Sequence, residues 1–217
     1  MTLGVLSPFR QLKRVYQLLR NLPARIRHRS RHAAVRRKVA QIGRPRTLLV
    51  VCAGNVCRSP YLEAVLTRDL PDVRIASAGF VRFDRPVPGY ALAVSAKRGI
   101  DLSSFRSNTL LPHRARTADL VVVMEEEQAR YLTAYAGVQR ARIIIAGDLD
   151  PMTSPTRSIE DPWNKSMDVF ESTFNRLDRC GATLTLLLKP NGGNPIAVAA
   201  THSVSQFIPA RPVSSAD

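Results

Sequence analysis

Cys52 and Arg58 stand six residues apart in the segment Cys-Ala-Gly-Asn-Val-Cys-Arg-Ser. If this segment forms a tight loop, its backbone N–H groups point into one concavity and create an anion site. Gly54 and Asn55 tolerate the positive φ angles that such a loop needs. A thiolate at Cys52 would be a strong nucleophile there. The planar guanidinium of Arg58 can hold two oxygens of a tetrahedral anion, and Ser59 can donate its hydroxyl to the thiolate.

The elements on either side predict how this loop is fixed. Five apolar residues, 48–52, are typical of a parallel strand buried on both faces. Ser59 then suits a helix N-cap and Pro60 the first helical position. Free cysteines are often just small buried apolar side chains. The strand before the loop and the helix signal after it favour the chemical interpretation instead.

The remaining pattern alternates strands with helices. Further strands are predicted at 73–77, 119–124 and 141–146, a helix at 90–98 that ends at Gly99, and a last helix from near Trp163 toward Leu188. This alternation predicts an α/β fold, a parallel sheet covered on both faces, with its ligand at the carboxyl ends of the strands. Cys52 lies at such an end.

The segment from Val51 to Pro60 resembles the signature of the low-molecular-weight protein tyrosine phosphatases. Further similarities bring the resemblance to residues 47–189: Ser-Ala-Gly at 77–79, Arg-Gly-Ile-Asp-Leu-Ser at 98–103, Met-Glu at 124–125 and Asp-Pro-Trp at 161–163. The resemblance implies a four-stranded parallel sheet with helices on both faces and a phosphate-binding loop after the first strand. The chain departs from the family at Glu125, where Asp is usual.

The resemblance also implies a set of site residues and a reaction without metal or cofactor. The catalytic residues would be Cys52, Arg58 and Asp161, and the substrate-binding residues Ala53, Gly54, Asn55, Val56, Cys57, Ser59 and Trp163. Two Asp-Pro pairs occur, and spacing alone does not choose between Asp150 and Asp161 as general acid. The resemblance favours Asp161, while Asp150 is typical of a turn. Trp163 would either offer its ring to an aromatic substrate or anchor the last helix.

We therefore expect a phosphatase that hydrolyses protein phosphotyrosine through a cysteinyl-phosphate intermediate. Two alternatives remain open. An arsenate reductase of the same architecture would need a cysteine relay, for which only Cys57 and Cys180 remain. A non-catalytic phosphate-binding module would need neither a thiolate nor an acid.

The charge of the chain is concentrated before the first strand. Residues 1–46 hold 13 Lys or Arg and no Asp or Glu, whereas the other residues hold 19 basic and 17 acidic side chains, so 13 of the 15 net charges lie in this segment. We predict three parts: a basic arm at 1–46, partly helical or disordered, a phosphatase domain at 47–189, and a flexible tail at 190–217. The tail is rich in Gly, Pro, Ala and Ser.

The composition also indicates partners and location. The basic arm suits an anionic membrane surface or an acidic partner, or is simply solvated; charge alone gives only non-specific nucleic-acid binding. Three cysteines form no disulfide framework, and a nucleophilic thiolate needs a reducing compartment, so we expect a cytoplasmic protein, peripheral at the membrane. The stretch 161–166 resembles bacterial members associated with exopolysaccharide export, which implies phosphotyrosine proteins and a bacterial tyrosine kinase as partners.

Overall fold

A sheet of four parallel strands, in the order β2-β1-β3-β4, lies at the centre of the molecule in a computed structural model. The structure describes residues 8–81 and 84–189, with side chains from residue 22 onward. The strands are β1 (Thr47–Cys52), β2 (Arg74–Gly79), β3 (Leu120–Val123) and β4 (Ile143–Ile145). The predicted four-stranded parallel sheet is confirmed.

Six α-helices are found in the described part of the chain. They are α1 (Pro8–Ile42), α2 (Arg58–Asp69), α3 (Gly89–Ala96), α4 (Pro112–Thr117), α5 (Glu126–Ala134) and α6 (Met167–Leu188). Two short 3₁₀ turns, Arg140–Arg142 and Ala146–Asp148, flank β4. None of these helices is long and apolar enough to cross a membrane.

Side chains of the sheet alternate between two apolar layers, because successive residues of a strand point to opposite faces. In β1, Leu48, Val50 and Cys52 pack in the layer formed with α1, α2, α3 and α6. Leu49 and Val51 pack in the opposite layer with α4 and α5. Helices therefore cover both faces, which explains the unbroken apolar runs of the strands.

After β1 the chain forms β2 at one edge of the sheet, and it later returns to form β3 on the other side of β1. β1 pairs with β2 on one side and with β3 on the other. In open parallel sheets, a crevice forms where the strand order reverses, outside the carboxyl ends of the strands. The loop that begins at Cys52 lies at this point.

Helix α1 packs its C-terminal half against the domain. Val35 and Val39 are buried in the same apolar layer as α6. The Lys38 ammonium donates to the carbonyls of Arg140 and Ile143, both at 2.9 Å. The tail predicted at 190–217 lies outside the described residues.

Several element boundaries differ from the predicted ones. Helix α2 begins at Arg58, with Cys57 rather than Ser59 at its N-cap position. The Ser59 side chain bonds elsewhere, so the cap signal marked the right turn but the wrong residue. Strand β4 begins at 143, because residues 140–142 form a 3₁₀ turn. Helix α6 begins at Met167, since Asn164 takes a left-handed conformation with φ 57°.

Candidate active site

The sulfur of Cys52 lies at the floor of the loop and receives two hydrogen bonds. The backbone N–H of Asn55 donates to Sγ at 3.2 Å, and the Ser59 hydroxyl donates to it at 3.1 Å. Asn55 adopts the left-handed conformation, φ 51°, which turns its N–H inward. Two donors thus meet at one sulfur, and donors of this kind bind an anionic acceptor more strongly than a neutral one.

The Asn55 side chain joins the loop to the neighbouring strand. Its amide Nδ2 donates to the hydroxyls of Ser59 at 2.8 Å and Ser77 at 2.7 Å, and its Oδ1 accepts the Asn108 N–H at 2.6 Å. The Ser77 hydroxyl in turn donates to Glu63. Burial raises the pKa of Glu63, and the bond from Ser77 partly offsets this shift. Fully bonded buried groups of this kind hold a loop in one shape.

Gly79, at the end of β2, makes room for the loop. A Cβ placed there would lie 2.7 Å from the backbone N of Asn55 and 2.8 Å from the carbonyl oxygen of Ala53. Real Cβ atoms do not approach backbone so closely. The glycine of the Ser-Ala-Gly segment is therefore required by close packing.

Arg58 is 2% exposed and lines the same cleft as Cys52. Its Nη1 donates to the carbonyl of Ile159 at 3.0 Å, and its Nη2 contacts the carboxylate of Asp161. Glu125 is more distant, with Oε1 4.0 Å from Nη1. The Nε of Arg58 is buried and has no hydrogen-bond partner among the described residues. An unpaired buried donor is costly, and an anion oxygen in the loop would satisfy it.

The structure brings Asp161 to this cleft, with its side chain 43% exposed. Its other oxygen, Oδ1, accepts the Trp163 N–H at 3.2 Å. The preceding residues are fixed to the sheet, because the Ile159 N–H donates to the carbonyl of Met124 at 2.9 Å. Asp161 therefore stands on an anchored segment with one carboxylate edge turned to the cleft.

Asp150 is not in the cleft. It is 1% exposed and accepts bonds from Arg179 at 2.8 and 3.0 Å and from Arg176 at 3.1 Å. Burial alone would raise the pKa of Asp150, but the bonds from Arg179 and the Met152 N–H lower it below the ordinary value. This carboxyl is held as an anion in a structural ion pair.

The cleft has a volume of about 200 Å³. It is lined by Cys52, Ala53, Gly54, Val56, Cys57, Arg58, Val81, Arg85, Asp161 and Trp163. Arg85 was not predicted; its guanidinium carbon lies 4.1 Å from the ring centroid of Trp163. A lone arginine in a Pro-rich connection carries no pattern that could have identified it.

The other two cysteines are also buried. Burial, with the charges of Cys52 and Asp161, raises the pKa of Cys57 to about 12. Burial also raises the pKa of Cys180 to about 12, within α6. Both stay protonated thiols at neutral pH. Within residues 8–81 and 84–189, no three His, Cys, Asp or Glu side chains are grouped so that they could hold a metal ion.

A parallel α/β sheet that presents a cysteine in an anion loop, with an arginine behind it, defines a class of enzymes that act on phosphate esters through cysteine. Within this class, the chain belongs to the low molecular weight phosphotyrosine protein phosphatase family, whose profile matches residues 47–191.

Named relatives agree with this assignment. The chain is 35% identical to the low molecular weight protein-tyrosine-phosphatase Etp of Escherichia coli K12, over 61% of the chain and 88% of Etp. It is 34% identical to the probable phosphatase EpsP of Ralstonia solanacearum, over 62% of the chain and 90% of EpsP. The structure of Vibrio vulnificus Wzb in complex with benzylphosphonate matches with a TM-score of 0.59 and 28% identity, over 65% of the chain and 97% of Wzb. The family match begins at residue 47, so α1 lies outside it.

Proposed function

We propose that this enzyme hydrolyses phosphotyrosine in proteins, with Cys52 as nucleophile, Arg58 as the phosphate-binding cation and Asp161 as general acid. The main support for this proposal is the set of groups that surround the Cys52 sulfur. Two hydrogen-bond donors meet at this sulfur, and Arg58 of the same loop has a buried Nε without a partner among the described residues. A tetrahedral phosphate seated on the loop supplies the missing acceptor.

In the first step the Cys52 thiolate attacks phosphorus. The S–P bond forms and the bond from phosphorus to the phenolic oxygen breaks. Charge on the three equatorial oxygens is stabilised by Arg58 and by backbone N–H groups of the loop other than that of Asn55, which donates to the sulfur. Donors fixed in advance by the Asn55 contacts need no reorganisation as the charge develops.

Asp161 provides the proton for the leaving phenolate. In the described state its carboxylate contacts Arg58. A phosphate dianion that binds Arg58 replaces Asp161 as the partner of the guanidinium. Its negative charge then favours the protonated form of the Asp161 carboxyl. The acid is then both protonated and next to the departing oxygen.

In the second step a water molecule hydrolyses the intermediate. The Asp161 carboxylate accepts a proton from this water, whose oxygen attacks phosphorus. The S–P bond breaks, inorganic phosphate leaves and the thiolate is restored. Ser59 donates to the sulfur as it departs.

The rim of the cleft suits an aromatic phosphoester. Trp163 is 38% exposed and lines the cleft together with Val81. Arg85 lies over the Trp163 ring, so a substrate ring would pack beside this pair or displace the guanidinium. The structure of Vibrio vulnificus Wzb holds benzylphosphonate, a benzyl group joined to a phosphonate. Binding of a similar ring by the present chain is consistent with its rim.

An arsenate reductase is less well supported. Its cysteine relay would need Cys57 and Cys180 as thiolates, and both have a pKa of about 12 because they are buried. The family match and the named relatives also favour the phosphatase.

The substrates we propose are phosphotyrosine proteins made by a bacterial tyrosine kinase in the cytoplasm, where cysteines stay reduced. The exposed side of α1 carries Arg25, Arg27, Arg29 and Arg37 beside the exposed Leu22 and Ile26. This combination of charge and apolar groups supports peripheral contact with an anionic membrane surface.

The test is turnover of phosphotyrosine and of an aryl phosphate with neither metal nor reducing cosubstrate added. We expect steady turnover by the full chain and none by Cys52→Ser. The Cys52→Ser protein should instead retain phosphotyrosine peptides. Arsenate reduction in the presence of thiol, without aryl phosphate turnover, would transfer the assignment to the reductase.

A further inference from the structure

A second cavity lies between α1 and the edge strand β4, away from the Cys52 cleft. Its volume is about 220 Å³. Arg31 and Lys38 line it from the helix, and Arg140, Asp148 and Arg157 line it from the domain. We call it the α1–β4 cavity. Residues 31 and 38 precede the family match, so the cavity is built partly by sequence outside the phosphatase family.

Positive charge exceeds negative charge around this cavity. Its four cations are Arg31, Lys38, Arg140 and Arg157. Within the described part of the chain, two carboxylates form ion pairs with them. Asp148 pairs with Arg157 and Arg31, and Glu126 with Arg157 at 2.6 Å and more loosely with Arg140 at 3.5 Å. Two positive charges are thus left over in a partly enclosed space.

The two helix cations retain unused donors. Lys38 donates to two carbonyls, those of Arg140 and Ile143, and an ammonium has three hydrogens. The Nε of Arg31 is buried and has no hydrogen bond within the described residues, although it lies 3.4 Å from a carboxylate oxygen of Asp148. Arg140 also donates to the Ile143 carbonyl, at 2.9 Å, so it converges with Lys38 on one oxygen.

The close positive charges around Lys38 repel its ammonium, and a bound anion would reduce this repulsion. Burial lowers the pKa of Lys38, and the charges of Arg140 and Arg157 lower it further, against the opposite effect of Glu126 and Asp148. A further anion among these cations would raise the pKa of Lys38. A small tetrahedral dianion matches both the excess positive charge and the unused donors of Lys38 and Arg31.

We propose that the α1–β4 cavity is a second anion site that binds a phosphate dianion, either inorganic phosphate or a small phosphomonoester. Lys38, Arg140 and the Nε of Arg31 are its ligands. Orthophosphate fills only part of the cavity, which leaves room for a short ester substituent. Inorganic phosphate is also the product of the proposed reaction, so the reaction itself would supply a ligand for this site if the proposed function holds.

The test is a calorimetric titration of the full chain with inorganic phosphate. We expect two binding events, one in the Cys52 cleft and one in the α1–β4 cavity. Lys38→Met should lose one event, or weaken it by about tenfold or more, because it removes a charged donor. Arg140→Met is a second variant with the same expectation, and thermal melting shows whether each variant is folded.

The control is Arg37→Met, which removes an exposed charge from the same helix outside the cavity. This variant should keep both events. A single event in the unmodified chain, or two unchanged events in folded Lys38→Met and Arg140→Met, would overturn the proposal.

Discussion

Asp150 and Asp161 both precede a proline, yet their surroundings give them different chemistry. Asp150 is buried between two arginines, which hold it ionised. Asp161 is partly exposed at the cleft, with Arg58 as its cationic partner. A proton donor must exchange its proton with substrate and water, and of the two carboxyls only Asp161 lines the cleft.

Replacement of these two residues separates their roles. Asp161→Asn should lose roughly 10²- to 10⁴-fold in rate with phosphotyrosine, or about 3 to 5 kcal/mol of barrier, because that phenolate is a poor leaving group. It should lose much less with a nitrophenyl ester. Steady-state rates on both substrates measure the difference. For Asp150→Asn, the rate should depend on the leaving group no more steeply than for the unmodified enzyme. A steeper dependence would identify Asp150 as the general acid.

All three cysteines are buried, but the pKa is raised for Cys57 and Cys180. At pH 8, a thiol with a pKa of about 12 is ionised in only about one molecule in 10⁴. Iodoacetamide at this pH should therefore label one cysteine per chain, Cys52, and peptide fragmentation distinguishes it from Cys57. Cys52→Ser should label hardly at all. Fast labelling of Cys57 in the folded protein would contradict its burial.

The same shift has a consequence for stability. Because the folded pKa values of Cys57 and Cys180 lie above those of free thiols, folding favours their protonated forms. Their contribution is complete below about pH 8.5 and is lost as the pH rises toward 12.

At the level of elements, apolar runs and turn residues predicted most of the domain. The four strands follow from runs such as 48–52 and 119–124, because both faces of the sheet are buried. The short helix α4 and the 3₁₀ turns beside β4 have no such pattern. Contacts between segments that are distant in the chain also could not be predicted from the sequence. The pairing of Arg85 with Trp163 and the packing of α1 on α6 arise only in the folded chain.

The contact of β2 with the catalytic loop can be tested at Gly79. Gly79→Ala places a Cβ within 2.8 Å of loop backbone, which must shift. We expect a loss of about 1 to 3 kcal/mol in the free energy of unfolding and a fall of about tenfold or more in aryl phosphate turnover. Gly89→Ala is the control, since a Cβ there meets nothing within 4 Å. Equal activity of the two variants would show that the loop tolerates the shift.

The docking of α1 can be tested at Val39, which is 1% exposed. Val39→Ala removes buried apolar surface and should lower the free energy of unfolding by about 1 to 3 kcal/mol, measured in urea. Leu22→Ala on the same helix should change it by less than about 0.5 kcal/mol, because Leu22 is 47% exposed. If Val39→Ala were as stable as the unmodified protein, α1 would not be docked in solution.

Across the whole molecule, most of the net positive charge lies before the phosphatase domain. The basic side chains of the first 46 residues leave the rest of the chain nearly neutral, with 19 basic and 17 acidic residues. This distribution favours the proposed contact of the basic N-terminal segment with an anionic membrane surface. Such contact does not require the residues of the Cys52 cleft.

Attachment can be measured by sedimentation with vesicles that contain anionic lipid. Replacing Arg25, Arg27 and Arg29 with Gln should weaken binding by about 100-fold, at about 1 kcal/mol for each charge. Added salt should weaken binding of the unmodified chain as well. Arg114→Gln, an exposed arginine of α4, is the matched control. Unchanged sedimentation of the triple variant would exclude the membrane role, whereas its turnover of aryl phosphate should stay the same.

The bonds from Lys38 and Arg140 to the Ile143 carbonyl have one more effect, on encounters between molecules. β4 is an edge strand made of three isoleucines, the kind of strand onto which a strand of another chain can add. At Ile143 the carbonyl accepts from two cationic side chains instead, and α1 lies alongside. Any strand that approached would meet positive charge in place of a free acceptor. We therefore expect Lys38 of α1 and Arg140 to disfavour the addition of another strand at Ile143.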